Sequence, residues 1–211
     1  MNLINTAYTQ FRRPSGFLGR AAGWIMANRP SNIARNRWTI DLLQINETDH
    51  VLEIGFGPGL SIAHVARLAP RGHVTGIDHS PLMLAAATRR NREAIQSGLV
   101  DLQNGGLERL RLIDDRFDKI VSVNVLQFLP NRTDTLKILR SMLRPNGVLA
   151  STFQPRQPGA KPEDADAFAH RLTQEMVDAG FRDVTVKKLA LKPMPAVCVL
   201  GNVQVAHSYP T

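Results

Sequence analysis

The stretch Val51-Leu-Glu-Ile-Gly-Phe-Gly-Pro-Gly59 decides the fold of this chain. A short β-favouring run is followed by glycines at positions 55, 57 and 59, and an apolar helical pattern begins at Leu60. Glycine loses more backbone entropy on folding than other residues, so three of them in five positions indicate a special backbone path. The expected cause is a ligand lying against the main chain, between the tip of a buried strand and the start of a helix.

A second acid completes this pattern. The run His73-Val-Thr-Gly-Ile77 is followed by Asp78, 19 residues after Gly59. A glycine loop with an acid at this distance indicates a nucleoside site, in which the carboxylate accepts the ribose hydroxyls. A dinucleotide fingerprint would need a third glycine where Leu60 stands. S-adenosylmethionine (SAM) has no phosphate, and its sulfonium and ammonium groups fit a site edged by Glu53 and Asp78.

The chain resembles a class I SAM-dependent methyltransferase from about residue 48 to its end. The resemblance is carried by residues 51–59 (motif I), 74–83 (the ribose-binding strand and next helix), 117–124 (the fourth strand) and 143–149 (the entry to the fifth). It implies that Glu53 and the three glycines hold the methionine part, Asp78 the ribose and Met83 an adenine face. The expected cofactor is SAM, with S-adenosylhomocysteine (SAH) as its product.

One segment departs from the family pattern. The third strand usually leads into Gly-Asp-Ala, whose acid meets the adenine amino group, but this chain has Gly105-Gly106-Leu107. Adenine contact is therefore expected from backbone groups there or from Asn104. The full predicted cofactor-binding set is Glu53, Gly55, Phe56, Gly57, Gly59, Asp78, His79, Met83, Asn104, Gly105, Gly106, Leu107 and Asn124.

Asn124 and Gln127 follow the apolar fourth strand and face the expected sulfonium region, so they are the provisional catalytic residues. As loop residues they could equally satisfy local backbone groups. No carboxylate–histidine pairing in the sequence marks a general base, and no metal site is predicted. An acceptor pocket is expected from the N-terminal helices, residues 124–130 and the loop 153–162.

Strand and helix patterns alternate along the chain, which predicts a parallel sheet with helices on both faces. The expected fold is an α/β, Rossmann-like doubly wound sheet of about seven strands, with an antiparallel C-terminal hairpin and N-terminal lid helices. Strands are predicted near 50–54, 73–77, 99–103, 118–123, 147–153, 184–191 and 196–203, and helices near 33–43, 60–69, 81–96, 132–143 and 164–179. Residues 1–46 are predicted to form a helical lid, and residues 47–211 the SAM-binding domain, within one structural domain overall.

The chain has 211 residues, a net charge of +8 and a single cysteine, Cys198. One cysteine permits no internal disulfide, which suits a reducing cytoplasm. Residues 1–48 hold six Arg and no Lys against Asp41 and Glu47, so half of the positive surplus lies there. Three interpretations remain open: a solvated basic face, a site for an anionic substrate or lipid surface, and nucleic-acid binding. No segment is predicted to span a membrane, and the oligomeric state is left open.

A small-molecule acceptor, lipophilic or anionic, is the favoured substrate class. Enzymes that methylate exocyclic amines of nucleic acids resemble one another in an (Asn/Asp/Ser)-Pro-Pro-aromatic motif, where a flipped base stacks. This chain reads Asn124-Val-Leu-Gln127 at that place, which argues against them. Two alternatives from other classes are a SAM-dependent enzyme that catalyses intramolecular cyclisation and a SAM-binding protein without transferase activity.

Overall fold

The computed structural model describes residues 29–204. Their strands form one seven-stranded sheet in the order β3-β2-β1-β4-β5-β7-β6. All neighbours pair in parallel except β7, which runs antiparallel to both β5 and β6. The strands are β1 (His50–Ile54), β2 (His73–Asp78), β3 (Val100–Asn104), β4 (Phe117–Val123), β5 (Leu143–Phe153), β6 (Arg182–Leu189) and β7 (Ala196–Asn202). The predicted Rossmann-like sheet with an antiparallel C-terminal hairpin is confirmed.

Helices cover both faces of this sheet. They are α1 (Pro30–Leu42), α2 (Leu60–Leu68), α3 (Pro81–Arg90), α4 (Arg92–Gln96), α5 (Arg132–Met142) and α6 (Glu163–Asp178). On one face α5 and α6 bury Leu139 and Leu172, and on the other α1 and α2 bury Ile40 and Ile62. The sheet thus lies between two apolar layers, as alternating strands and helices require.

Helix α1 begins three residues earlier than the sequence suggested. The predicted helix began near residue 33, whereas Pro30 is the first helical residue and Arg29 the N-cap. That prediction was wrong because proline is favoured in the first turn, where its missing N–H has no partner to lose. Of the predicted helical lid, residues 1–28 lie outside the described residues.

The predicted helix over residues 81–96 is two helices, α3 and α4, separated at Asn91. The Asn91 side chain donates to the carbonyl oxygens of Ala87, at 2.9 Å, and of Gly59, at 3.2 Å. A short amide side chain that hydrogen-bonds backbone carbonyls in this way competes with helix continuation. At this break the Asn91 side chain therefore connects the end of α3 to the end of the glycine loop.

Strand β5 begins at Leu143, not near residue 147. Phe117 pairs with Leu143, and the register then shifts before Lys119 pairs with Val148. Because the first residues of β5 pair irregularly with β4, only the second, regular part of β5 shows a strand pattern in the sequence. Two short 3₁₀ helices, Leu107–Leu112 and Leu126–Phe128, were also not predicted.

Helix α1 packs against α2 and against β4 and β5. The hydroxyls of Thr39 in α1 and Thr152 in β5 are 2.7 Å apart and fully buried. Because α1 lies across the carboxyl ends of β4 and β5, its side chains can reach the crevice where parallel sheets bind ligands. No helix in residues 29–204 is long and apolar enough to cross a membrane.

Candidate active site

One cavity opens at the carboxyl ends of β1, β2, β4 and β5, next to the point where the strand order reverses between β1 and β4. Open α/β sheets bind their ligands at this topological position. The cavity has a volume of about 230 Å³. Its lining comes from α1, the glycine loop, the ends of β2 and β4, and the segment after β5, and includes Arg29, Asn32, Arg35, Asn36, Glu53, Gly55, Phe56, Gly57, Asp78, His79, Met83, Asn124, Gln127, Phe153, Gln154 and Arg156.

The three loop glycines all have positive φ, but they are required for different reasons. A Cβ on Gly55 would collide with the Val125 side chain. A Cβ on Gly59 would lie 2.8 Å from the Ala87 Cβ, in the contact between the loop and α3. At Gly57 nothing lies within 4 Å of that position, and the residue lines the cavity. Of the three glycines, Gly57 is therefore the one whose backbone faces open space, as expected where a ligand lies against the main chain.

The Asp78 carboxylate holds two backbone segments together at the end of β2. Its Oδ2 accepts from the Gly57 N–H at 2.8 Å, and its Oδ1 accepts from the Ser80 N–H at 2.9 Å. Burial raises the pKa of Asp78, and these two hydrogen bonds oppose the rise. The N-cap of α3 is Ser80, whose hydroxyl accepts the Met83 N–H, so Asp78 is not needed there. Asp78 therefore lines the cavity and fixes the glycine loop.

Glu53 lies on the floor of the cavity and is 2% exposed. Burial raises its pKa to about 8, a hydrogen bond with Ser61 opposes this, and the charge of Asp78 adds to it. Its Oε2 has no hydrogen-bond partner among the described residues. A buried carboxyl group with an unpaired oxygen carries a proton at neutral pH, and it becomes an anion when a cation lies beside it.

Not all of the predicted cofactor-binding residues line the cavity. Those that do are Glu53, Gly55, Phe56, Gly57, Asp78, His79, Met83 and Asn124. Met83 is buried at the start of α3, whereas the His79 side chain is about half exposed, with Nδ1 3.7 Å from Asp78 Oδ1. Gly59 contacts α3 instead.

The segment after β3 lies beside the end of β2. The carbonyl oxygen of Asp78 accepts from Asn104 Nδ2 at 2.9 Å and from the Gly105 N–H at 3.0 Å. Glu108 was not singled out by the sequence, yet its exposed carboxylate accepts the Gly106 N–H at 2.7 Å. Adenine contact by residues 104–107 stays a prediction, and Glu108 is the acid nearest to them in sequence.

Asn124 and Gln127 both line the cavity, but their side chains differ in hydrogen bonding. The side chain of Asn124, whose φ is 57°, donates to the Gln154 carbonyl oxygen at 3.1 Å and accepts the Gln154 N–H at 2.8 Å. Asn124 therefore joins the ends of β4 and β5. Gln127 keeps a buried Oε1 that has no partner among the described residues. The catalytic role of both residues stays a prediction.

Two arginines that line the cavity, Arg35 and Arg156, meet at Gln154, directly after β5. Gln154 Oε1 accepts from Arg35 Nη1 at 2.8 Å and from Arg156 Nη2 at 2.6 Å. Arg156 Nη2 also donates to Asn32 Oδ1 at 2.8 Å and to Ser31 Oγ at 3.0 Å. Arg35 Nε and Arg156 Nη1 are buried and have no partner among the described residues.

These arginines are held in place by neutral groups. Neither residue, nor Arg29 at the rim of the cavity, forms an ion pair within residues 29–204. Burial, followed by the charges of Arg156 and Arg29, lowers the pKa of Arg35 to about 9. Burial and Arg29 lower the pKa of Arg156 to about 10. Both guanidinium groups thus remain charged at neutral pH, without a carboxylate to balance them.

Sequence reasoning noted the basic N-terminal quarter but did not single out Arg35, Gln154 or Arg156. Arg35 lies on a helix and Arg156 in a loop, 121 positions apart in the sequence. Of these three residues, only Arg35 could have been found from the sequence. It precedes Thr39 by four residues on the same helix, so a face that buries Thr39 also buries Arg35. No group of three or more metal-binding side chains occurs within residues 29–204.

Known proteins resemble this chain in sequence. Residues 51–147 match a family model described as a methyltransferase domain. An uncharacterized methyltransferase, YdaC, of Bacillus subtilis (strain 168) is 35% identical over 181 residues, which cover 86% of this chain and 97% of that protein. A demethylmenaquinone methyltransferase of Listeria welshimeri is 32% identical over 126 residues (58% of this chain, 53% of that one). A trans-aconitate 2-methyltransferase of Escherichia coli O157:H7 is 34% identical over 119 residues (55% and 44%).

The fold also matches solved structures. An N-methyltransferase, NodS, from Bradyrhizobium japonicum, solved in complex with SAH, superposes with a TM-score of 0.69 at 15% identity, over 96% of this chain and 99% of that one. The glycine loop, the acid after β2 and the antiparallel β7 lie where the resemblance implied. With a relative 35% identical that the chain covers almost completely, this protein belongs to the class I SAM-dependent methyltransferase superfamily.

Proposed function

We propose that this enzyme transfers the methyl group of SAM to a small-molecule acceptor by in-line displacement, inside the cavity between α1 and the sheet. The observation that carries the proposal is the division of that cavity. Its acids, Glu53 and Asp78, stand on the side of β1 and β2, and its bases, Arg35 and Arg156, stand beside β5. The acidic half suits a cationic cofactor, and the basic half is left for a separate acceptor.

The acidic half fits SAM through this chain's own groups. Gly57 offers bare backbone, Asp78 offers carboxylate oxygens for ribose hydroxyls, and Glu53 Oε2 is buried without a partner. An unpaired buried acceptor is costly unless a ligand donates to it. The ammonium group of SAM is such a donor, and it also stabilises the ionised form of Glu53.

When bound, SAM supplies an electrophilic methyl group with a neutral thioether as leaving group. The protein's part is then to align the acceptor and exclude water, and alignment alone contributes roughly 7–11 kcal/mol in the best cases. Asn124 is fixed between β4 and β5, and Gln127 presents an unpartnered Oε1. We assign them to positioning the acceptor beside the methyl group, with Gln127 as the hydrogen-bond acceptor.

The acceptor half is open to two substrate classes named among the relatives. Demethylmenaquinone is lipophilic, and trans-aconitate is anionic. Arg35 and Arg156, without an ion-pair partner in residues 29–204, favour the anionic class. Residues 1–46 serve as a lid in this proposal, and α1 supports it by contributing Asn32, Arg35 and Asn36 to the cavity. We also propose a cytoplasmic location and no nucleic-acid partner.

The test is product analysis after incubation of the purified enzyme with SAM and a panel of carboxylated, phosphorylated and lipophilic acceptors. Methylated acceptor and SAH in equal amounts support the proposal. Methylthioadenosine as the product would instead establish intramolecular cyclisation, and tight SAH binding without any turnover on the panel would favour a binding protein. A Gly57→Val variant serves as the cofactor-free control.

A further inference from the structure

We propose that Arg35 and Arg156, which meet at Gln154 beside the end of β5, form an anion subsite that binds a carboxylate or phosphate group of the methyl acceptor. The proposal rests on the function proposed above and adds the chemistry by which the acceptor is recognised. The subsite consists of the side chains of Arg35 and Arg156, which we call the pair, and of Gln154.

The first step is burial. Arg35 is 6% exposed, and Arg156 is partly buried, with its Nη2 against Ser31 and Asn32 of α1. A buried charge costs several kcal/mol unless it is paired and hydrogen-bonded. Folding two guanidinium groups next to each other adds their mutual repulsion. Such an arrangement indicates a binding site in which a ligand, not the protein, supplies the counter-charge.

Within residues 29–204 no Asp or Glu forms an ion pair with Arg29, Arg35 or Arg156. Residues 1–28 and 205–211, which the structure does not describe, contain no Asp or Glu in their sequence. No side-chain carboxylate from those segments can therefore neutralise the pair.

The second step is hydrogen-bonding capacity. Gln154 accepts one N–H from each guanidinium group and donates its own Nε2 to the Met194 carbonyl oxygen at 2.7 Å, so its orientation is fixed. Arg35 Nε and Arg156 Nη1 remain buried and unpartnered among the described residues. Carboxylate and phosphate oxygens accept from guanidinium groups in this way, in short charge-assisted bonds.

The position of the pair favours the acceptor over the cofactor. Arg35 and Arg156 both donate to Gln154, directly after β5. Glu53, in contrast, lies in β1, and the glycine loop follows that strand. The methionine carboxylate of the cofactor is the other possible source of an anion. Both sources share the same chemistry, and the experiment separates them.

The test measures binding of citrate, malonate and inorganic phosphate by calorimetry, with the wild-type protein saturated with SAH and ionic strength held constant. We expect all or some of these anions to bind alongside SAH. Arg156→Gln should weaken their binding by about ten- to hundredfold, the loss of a charge-assisted hydrogen bond. Arg35→Lys should weaken it less, since the charge stays while the planar fork is lost.

The matched control is Arg37→Gln, which removes the same charge from α1. Arg37 is exposed and lies 4.0 Å from Asp41, on the outside of the helix. Anion binding by this variant should stay within twofold of wild type. Because Arg156 lies in a loop, its substitution tests the proposal even if variants of the more buried Arg35 do not fold.

A second pair of ligands distinguishes the two sources. Methylthioadenosine lacks the amino-acid carboxylate that SAH carries. If Arg156→Gln lowers affinity for SAH but not for methylthioadenosine, the arginines bind the cofactor carboxylate and the proposal is overturned. It is also overturned if SAH binds normally and none of the anions binds, whereas failure of SAH itself to bind would contradict the proposed function instead.

Discussion

The two halves of the cavity are built in different ways. The cofactor half comes from two short continuous segments, the glycine loop after β1 and the end of β2, and uses backbone N–H groups as much as side chains. The acceptor half brings together α1, the end of β4 and the segment after β5, so Arg35 meets Gln154 across 119 residues. The first half carries the glycine motif by which the chain resembles its superfamily, and in our proposal the second half determines which acceptor binds.

The largest effect is expected from closing the backbone surface of the cofactor half. Gly57→Val places a side chain where SAM would lie, so SAH binding should fall below detection by calorimetry. Gly98→Val is the matched control, because Gly98 also has a positive φ, 77°, and open space around it, but it is not among the residues that line the cavity. Both variants should lose similar stability, about 1–3 kcal/mol of backbone strain, in thermal unfolding.

A smaller effect is expected from Asp78→Ala. Two ribose hydroxyls lose a charged acceptor, and the Gly57 N–H loses its partner, so SAH affinity should weaken by about 1–3 kcal/mol. Ser80→Ala is the comparison, since it removes the N-cap oxygen of α3 while keeping the carboxylate. Equal losses in SAH affinity for the two variants would reduce Asp78 to a structural residue.

The protonation of Glu53 provides a test through pH. In the ligand-free protein its pKa is about 8, so the group is largely protonated at pH 7, and binding the ammonium of SAM should ionise it. Nearly one proton should therefore be released per SAM or SAH bound at pH 7, and affinity should rise with pH toward 8 by at most about tenfold per unit.

The measurement is calorimetry at pH 7 in buffers of different ionisation enthalpy. Glu53→Gln should bind SAH without releasing a proton, and methylthioadenosine, which lacks the ammonium, should release none from the wild type. At still higher pH the ligand's own amino group loses its charge, so affinity should fall again. A flat profile from pH 6 to 8 would mean that the ammonium does not lie beside Glu53.

The smallest effect is expected from Arg29→Gln. Arg29 is exposed at the rim of the cavity, so its attraction for an anion is screened by water and salt. Removing it should weaken anion binding to SAH-loaded protein by about two- to threefold at low salt and not measurably at high salt. An effect as large as that of Arg156→Gln would move the centre of the subsite outward to the rim.

The arrangement of the glycine loop and Asp78 was predictable because these residues lie close together in the sequence. Residues 51–59 and Asp78 give the strand, the turn and the acid within one short stretch, and the structure brings them together as expected. Even there, the sequence could not separate Gly57, which faces open space, from Gly55 and Gly59, which pack against Val125 and Ala87. Those contacts depend on distant segments.

The acceptor half was predictable only as a set of segments. The N-terminal helices, residues 124–130 and the loop 153–162 were expected to surround an acceptor, and parts of all three line one cavity. The pairing of Arg35 with Arg156 depends on how α1 crosses β4 and β5, which no periodicity reveals.

Gln154 differs from glutamate by one group of atoms, and that difference decides what the acceptor half can do. A carboxylate at this position would balance one guanidinium charge permanently and would face the Met194 carbonyl oxygen with a second negative oxygen. The amide orients both cations and donates to Met194, yet leaves their full charge available. If the acceptor is an anion, as we propose, Gln154→Glu would place a carboxylate against both guanidinium groups and should weaken anion binding to the SAH-loaded protein.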